Sequence, residues 1–190
     1  MAVLRILLLV VCLSAGARSL AEDATVVLRM LKALPAHQGA ASVLDAAWPY
    51  LDSEDAAIRE AARQSIQTLP FDAWRARALD EKSTWASLEM LRALAESCPR
   101  EKAQELSPHL CEQITTLRIE HMDEPQLLAA QRLTRLIFEK LGPVSNDERH
   151  QMLDLWSSLP PPIGAAANRD REELIQYLRR PTASQTPPCR

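Results

Sequence analysis

The sequence predicts an all-α protein, built as a short right-handed solenoid of stacked helical hairpins. Three observations indicate this fold class. After residue 21 the apolar residues recur at helical spacing, and no stretch alternates with the period of two that is typical of a β-strand. Thirteen Pro separate the periodic segments, whereas the four Gly are too few for Gly-rich phosphate loops or turn-dense β-sandwiches. A unit of helix, acidic turn, helix and Pro occurs twice, which indicates repeated hairpins.

Residues 1–21 predict a cleaved secretory signal peptide. Arg5 supplies a positive charge, residues 6–13 form the apolar run ILLLVVCL, and residues 19–21 fit a small-x-small cleavage site before Glu22. The apolar run is shorter than the ~20 residues that a membrane-spanning helix needs, so we expect no stable membrane span after cleavage. The mature protein is therefore predicted to be periplasmic or secreted.

The charge of the mature chain predicts no nucleic-acid partner. The full chain carries 22 Lys+Arg against 25 Asp+Glu, for a formal net charge of −3. The signal peptide contains two of the Arg and no acidic residue, so its removal leaves a net charge of −5. A mildly acidic surface is poorly suited to a phosphate backbone or to anionic lipid.

Three helices are predicted before Pro70. The first covers 23–34, the second covers 40–51, and the third covers 56–68, each with apolar residues at i, i+3 and i+4 spacing. The acidic turn 52–55 precedes the third helix, where its carboxylates favour the helix N-terminus.

The third predicted helix carries one narrow apolar stripe. Ile58, Ala62 and Ile66 recur at i, i+4 and i+8, which predicts that they face the seam between this hairpin and the next one. Arg63 is predicted to lie on the neighbouring, outward face.

Further helices follow as far as residue 178. They are predicted at 71–79, 84–97, 102–120, 125–141, 147–157 and 169–178. Pro108 leaves open whether 102–120 is one helix or two, and Gly142 followed by Pro terminates the helix that precedes it. Asn168 is predicted to cap the last helix. Residues 22–180 are thus one helical domain, followed by a disordered Pro-rich tail at 181–190.

The repeat unit is visible in two segments. YLDSEDAAIREAARQSIQTLP covers 50–70, and ALDEKSTWASLEMLRALAESCP covers 78–99, with Leu-Asp at the start of each acidic turn. A single hairpin cannot bury its apolar face alone, whereas stacked hairpins bury it between them.

The first of these segments resembles a HEAT repeat in the run YLDSEDAAIREAARQSI. Asp52, Asp55, Ile58 and Arg59 occupy the places at which that family has an acidic turn followed by a hydrophobic residue and Arg. The resemblance implies that Asp52 or Asp55, together with Arg59, forms a ladder of turn contacts that holds adjacent repeats in line. The second segment has no Arg at the corresponding place.

A wider resemblance covers about residues 40–181 and includes LTRLIFEKLGPVSNDERHQMLDLWSSLPP. This stretch is similar to the HEAT region of large secreted bacterial dehydrogenase-like proteins, in which a β-propeller precedes the helices and a c-type cytochrome with CxxCH follows them. The sequence has no CxxCH, so no catalytic or haem residue is carried over. The resemblance implies a partner such as a secreted dehydrogenase or cytochrome.

The Cys and His residues predict no metal site, no cofactor and no catalytic residue. No CxxC, HExxH or EF-hand spacing is present, and His109 and Cys111 are two residues apart, which places them on different faces of one helix. Two alternatives remain open for Cys98 and Cys111: a disulfide, which an oxidising compartment permits, or two free thiols.

Two further groups of side chains have two interpretations each. The four Trp, at 48, 74, 85 and 156, pack between repeats or form an exposed binding face. Arg118, Arg132 and Arg135 lie on a solvated face or line a groove for an acidic partner.

Two function hypotheses follow. The first is a secreted or periplasmic protein-interaction scaffold without catalytic activity, because solenoids offer extended surfaces and no catalytic motif is present. The second is a helical connector or accessory part of a redox assembly that contains a propeller dehydrogenase and a c-type cytochrome.

Overall fold

The computed structural model describes residues 23–34, 39–142, 145–160 and 164–180. These residues form helices and turns, with no β-strand among them, so the predicted all-α class is confirmed. The predicted signal peptide and the predicted tail at 181–190 lie outside the described residues. Within the described ranges, none of the helices combines the length and the apolar character needed to cross a bilayer.

The described ranges contain nine α-helices, and four short 3₁₀ turns lie between residues 39 and 142. The α-helices are α1 (23–33), α2 (Ala40–Ala47), α3 (Ala56–Gln67), α4 (Arg75–Leu79), α5 (Thr84–Ser97), α6 (Ala103–Thr116), α7 (Glu124–Lys140), α8 (Asn146–Ser158) and α9 (Ala165–Arg179). The 3₁₀ turns are Trp48–Asp52, Phe71–Ala73, Arg100–Lys102 and Ile119–His121.

Proline ends one of the predicted helices but not another. The helix predicted over 40–51 ends at Ala47 and continues as a 3₁₀ turn that contains Pro49 near its start. Proline has no N–H to donate to the preceding turn, so it disfavours continuation of the α-helix. Pro108, in contrast, lies inside α6, which is one helix and ends at Thr116.

The start of α9 differs from the sequence prediction. Gly164 is the N-cap residue, and Asn168 lies inside the helix, where its side-chain amide donates to Glu172 Oε1 at 3.2 Å. Three consecutive Ala, at 165–167, extend the helix toward its N-terminus, because Ala has the highest helix propensity. Asn168 is therefore not the cap that the sequence predicts.

The first compact unit ends at Leu69 and contains α1, α2 and α3. The 3₁₀ turn Trp48–Asp52 and α2 both pack on α3. The Ser65 hydroxyl on α3 donates to the carbonyl oxygen of Leu31 on α1 at 2.7 Å, which ties the two helices together. Leu31, Val43, Leu51 and Ile66 are fully buried in this unit.

The apolar stripe on α3 is buried, but the prediction for Arg63 is wrong. Ala62 and Ile66 are fully buried and Ile58 is half-buried. The Arg63 side chain is only 4% exposed, with Nη2 at 2.6 Å from Glu60 Oε1 and Nη1 donating to Gln67 Oε1 at 2.7 Å. The aliphatic stem of an arginine can be buried while nearby polar groups pair with its guanidinium. That the stripe faces the next hairpin stays a prediction.

The second compact unit begins at Pro70 and contains α4 to α9. Successive helices pack as pairs, α4 with α5, α6 with α7 and α8 with α9. Helices two apart also pack, α4 with α6, α5 with α7, α6 with α8 and α7 with α9. The core of this unit includes the fully buried side chains Trp74, Leu94, Leu110, Ile137 and Trp156.

Helices two apart run parallel where side-chain contacts show their direction. Asp72 and Arg75, at the start of the α4 region, pair at 2.6 Å with Lys102 and Glu105 respectively, at the start of the α6 region. On α7 and α9, the Gln131 side chain donates to the carbonyl of Ala167. Farther along the same two helices, the Arg135 guanidinium lies over the Tyr177 ring.

Arg149 on α8 joins the ends of two other helices. Its guanidinium carbon lies 5.2 Å from the centre of the Phe138 ring on α7 and 5.9 Å from that of Tyr177 on α9. Its Nη1 donates to the carbonyl of Leu178 at 3.3 Å, at the C-terminus of α9. A cation at this position satisfies terminal carbonyls and opposes the negative end of the helix dipole.

Candidate functional site

Two of the three residues of the predicted turn ladder, Asp55 and Arg59, make contacts within one hairpin. Asp55 is the N-cap of α3, and its Oδ1 accepts from the backbone N–H of Ala57 at 2.8 Å. Arg59 is buried, and its Nη1 donates to the carbonyls of Ser53 at 2.6 Å and Glu54 at 3.0 Å. These contacts fasten the acidic turn to α3. A role for Asp52, Asp55 and Arg59 between adjacent repeats stays a prediction.

Cys98 and Cys111 are both free thiols, which is the second of the two alternatives. Cys98 is half-buried at the end of α5, and its Sγ donates to the carbonyl of Pro99 at 3.3 Å. Cys111 is fully buried within α6. Burial raises the pKa of both thiols, that of Cys111 to about 12. A thiol that stays protonated at neutral pH is a poor nucleophile, so the buried Cys111 belongs to the core.

The raised pKa of Cys111 predicts a loss of stability in alkali. The unfolded chain ionises this thiol near its ordinary value of 9.0, whereas the folded chain keeps the proton until pH approaches about 12. The unfolded state thus binds fewer protons over this interval, and the free energy of unfolding falls by up to about 1.4 kcal/mol per pH unit. Below pH 9 the thiol is protonated in both states, and its stabilising contribution is fully present.

Urea unfolding at several pH values between 7 and 11 tests this pH dependence. The stability difference between the wild type and Cys111→Ala should narrow above pH 9, because only the wild type loses this contribution. Leu110→Ala, which removes a buried neighbour that does not titrate, should keep a constant difference from the wild type. A constant difference for Cys111→Ala as well would contradict the prediction.

His109 and His121 make separate contacts. His109 is exposed, and its Nδ1 lies 2.9 Å from the carbonyl of Glu105. His121 is exposed in the following 3₁₀ turn, with Nε2 at 3.9 Å from Glu120 Oε1. Across the described part of the chain, no group of three or more His, Cys, Asp or Glu side chains is placed to hold a metal ion.

The surface of the second unit contains a groove between α5 and α7, with a volume of about 350 Å³. Apolar side chains form its floor, and charged side chains form its rim. The floor consists of Leu88, Ala129, Leu133 and Leu136, and the rim consists of Glu89, Arg92, Glu96 and Arg132. An apolar floor with a few charged groups is typical of a binding site, and this volume is near the lower end for ligand pockets.

Ion pairs fix the direction of the rim side chains. Arg92 Nε lies 2.9 Å from Glu96 Oε1, one turn along α5. Arg132 Nε lies 3.5 Å from Asp170 Oδ2 on α9, and 73% of the Arg132 side chain is exposed. Arg132 is therefore a largely exposed cation at the edge of an apolar floor.

The groove selects one of the three Arg that the sequence indicated. Arg132 lines it, whereas Arg135 pairs with Glu139 at 2.7 Å and lies over the Tyr177 ring. Arg118 lies between α6 and the following 3₁₀ turn, away from the groove lining. Of these three Arg, Arg132 alone therefore fits the interpretation as part of a groove.

The sequence analysis did not identify the leucines of the floor as part of a groove. The helical stripes assign Leu88, Leu133 and Leu136 to the core, and the first two are indeed buried. Helical periodicity identifies an apolar stripe but not the depth of the groove above it, so no sequence signal separates these leucines from the rest of the core.

The four Trp do not form an exposed aromatic face. Trp74 and Trp156 are fully buried, Trp48 is buried, and Trp85 is half-buried. The second of the two sequence interpretations, an exposed binding face, is therefore wrong for the described structure. Whether each lies between repeats stays a prediction.

Comparison with known proteins gives no match. No family model, no curated protein and no solved structure matches this chain. The HEAT resemblance therefore stays a prediction, and the function is inferred from the fold of the chain and from the groove.

Proposed function

We propose that this protein is a secreted or periplasmic scaffold without catalytic activity, a short right-handed stack of HEAT-like hairpins that binds another protein. The groove between α5 and α7 is the observation that carries the proposal. Ala129 and Leu136, which are half-exposed in the groove, offer apolar area to a partner, and the charged rim selects the partner and fixes its orientation.

The packing order in the second unit supports a solenoid. α5, α7 and α9 pack in succession, and so do α4, α6 and α8, so that each series forms a layer of helices two apart in the chain. In a solenoid each hairpin contacts its immediate neighbours in this way, and the layers present extended grooves. The α5/α7 groove is of this kind.

The lining of the groove suits the binding of a partner. It consists of leucine, alanine, glutamate and arginine side chains. Within this lining there is no Ser, Cys or Thr beside a His base, which is one common arrangement for nucleophilic catalysis. The described thiols lie elsewhere, in or beside α5 and α6.

Affinity capture from the periplasmic fraction of the producing cell tests the scaffold function. Tagged wild-type protein should enrich one or a few proteins over the tag alone, as measured by quantitative mass spectrometry. Leu136→Glu, which places a charge in the groove, should lose this enrichment. Gln176→Glu, at an exposed position of α9, is the matched control and should retain it. Failure to enrich any protein with the wild type would refute the scaffold.

The predicted signal peptide gives a separate expectation. Mature protein from the periplasm or medium should begin near Glu22, because residues 19–21 fit a signal peptidase site. Intact-mass measurement with N-terminal peptide mapping checks this. Secreted material that retains Met1 would show that the segment is not cleaved.

A further inference from the structure

We infer that Cys98 and Cys189 form an intramolecular disulfide, which fastens the segment 181–189 across the edge of the second unit at which α5, α7 and α9 end. This inference rests on the oxidising compartment in the proposed function, and it adds a covalent modification to that function. It follows from the number of available thiols, from the position of Cys98 and from the length of chain between α9 and Cys189.

Two of the three thiols of the predicted mature chain are available to each other. These Cys are at 98, 111 and 189. Cys111 is fully buried within α6, where neither an oxidant nor a thiol from outside the core can reach it. Cys98 is half-buried at the end of α5 and free in the structure, with its Sγ directed at the neighbouring carbonyl of Pro99. The available pair is therefore Cys98 and Cys189.

The ends of α5, α7 and α9 lie at one edge of the second unit. The pair of Asp72 with Lys102 shows that the α4 and α6 regions begin at this edge, and the short turn after α5 leads there directly. Consecutive packing of α6 and α7 returns the end of α7 to the start of α6. Arg149, at the start of α8, lies over the Phe138 ring of α7 and donates to the carbonyl of Leu178 at the end of α9. The end of α5 and the end of α9 thus share this edge.

The chain between α9 and Cys189 is long enough to reach Cys98. The axes of packed helices are about 8–10 Å apart, and α7 packs on both α5 and α9, so the end of α9 lies about 20 Å from the end of α5. The nine residues 181–189 lie outside the described ranges, and a Pro-rich chain of this length spans up to about 28 Å at about 3.1 Å per residue. A disulfide requires its two Cα atoms to be within about 7 Å, so the span is sufficient with the helices in place.

Thiol–disulfide exchange forms the bond. Cys98 and Cys189 each lose one proton and one electron as their sulfur atoms join. The S–S bond of a protein dithiol oxidant breaks at the same time, and the oxidant takes up both electrons and both protons and leaves as a dithiol. Oxidants of this class act in the bacterial periplasm and in other oxidising compartments.

The disulfide encloses α6 to α9 in one covalent loop, because it joins the end of α5 to the segment that follows α9. A cross-link over a long loop stabilises the fold chiefly by limiting the conformations of the unfolded chain. Reduction should therefore lower the urea midpoint of the protein, and the fastening of α8 and α9 to α5 becomes sensitive to the redox state of the compartment.

Peptide mapping of the purified mature chain, residues 22–190, tests the pairing. The protein is equilibrated with a mixture of oxidised and reduced glutathione, its remaining thiols are blocked with N-ethylmaleimide in denaturant, and trypsin cleaves it without reduction. Mass spectrometry of the wild type should find the peptide 93–100 linked to the peptide 180–190, with the reagent on Cys111 alone. After reduction, all three Cys should take up the reagent.

Single Cys variants supply the controls. Cys98→Ser and Cys189→Ser should each abolish the linked peptides and leave the other two thiols open to the reagent. Cys111→Ala is the matched control and should retain the link, because it removes the thiol that takes no part. A reductant should lower the urea midpoint of the wild type and leave that of Cys189→Ser unchanged. Three blocked Cys in the oxidised wild type, a link to Cys111, or a link between two copies of the chain would overturn the inference.

The mapping experiment and the tests of the proposed function fail separately. Glutathione supplies the oxidant in the purified sample, so an unlinked wild type removes the disulfide alone and leaves the capture result and the N-terminal mass unaffected. A protein that forms the link but captures no partner would support the disulfide and refute the scaffold.

Discussion

Ala62→Arg is expected to lower the free energy of unfolding by about 3 kcal/mol or more. Ala62 is fully buried on α3, so the new side chain has no space and its charge has no prepared partner. Overpacking of a core typically costs about 1–3 kcal/mol, and burial of an unpaired charge adds to this. Urea unfolding followed by helical circular dichroism measures the loss.

Gln64→Arg is the matched control, because it introduces the same side chain at an exposed position of the same helix. Its stability should stay within about 0.5 kcal/mol of the wild type. Arg63→Ala is unsuitable as a neutral control, since Arg63 is buried and pairs with Glu60 and Gln67. Equal midpoints for Ala62→Arg and the wild type would show that α3 buries a different face.

Trp156→Ala is expected to cost about 3–5 kcal/mol, the range for a large aromatic side chain removed from a core. Trp156 on α8 is fully buried, and its Nε1 donates to Thr134 Oγ1 on α7 at 3.2 Å. The substitution leaves a cavity and removes the donor at the same time. Denaturant unfolding, with the slope compared between variants, measures the loss.

Trp156→Phe separates the loss of the hydrogen-bond donor from the loss of apolar volume, and Ser157→Ala is a control. Trp156→Phe keeps most of the apolar volume but loses the Nε1–H donor, so its cost should lie between that of Trp156→Ala and zero. Ser157→Ala changes an exposed neighbour on α8 and should stay within about 0.5 kcal/mol of the wild type. A Trp156→Ala protein as stable as Ser157→Ala would mean that α8 does not pack through this side chain.

The sequence by itself determined the fold class and most of the helices. Apolar residues at helical spacing, together with Pro between them, locate α5 at Thr84–Ser97 as predicted. The acidic turn before α3 predicts a cap for the N-terminus of this helix, and Asp55 does accept a hydrogen bond from the N–H of Ala57. These features depend on residues within a few positions of one another, so a single sequence contains them.

Only the tertiary structure decided which side chains meet across the chain. Arg63, Arg132 and Arg149 are all arginines on helices, yet the first is buried, the second is on a groove rim, and the third lies between two aromatic rings. The sequence also predicted the wrong start for α9, since its N-cap is Gly164 and not Asn168.

The physical reason is that helical periodicity fixes which residues share a face, whereas packing fixes what lies opposite that face. The α5/α7 groove combines Leu88 with Leu133, which are far apart in sequence and belong to similar apolar stripes. Whether such stripes close completely or leave a groove depends on the separation of the two helices, and side-chain volumes at many contacts set that separation.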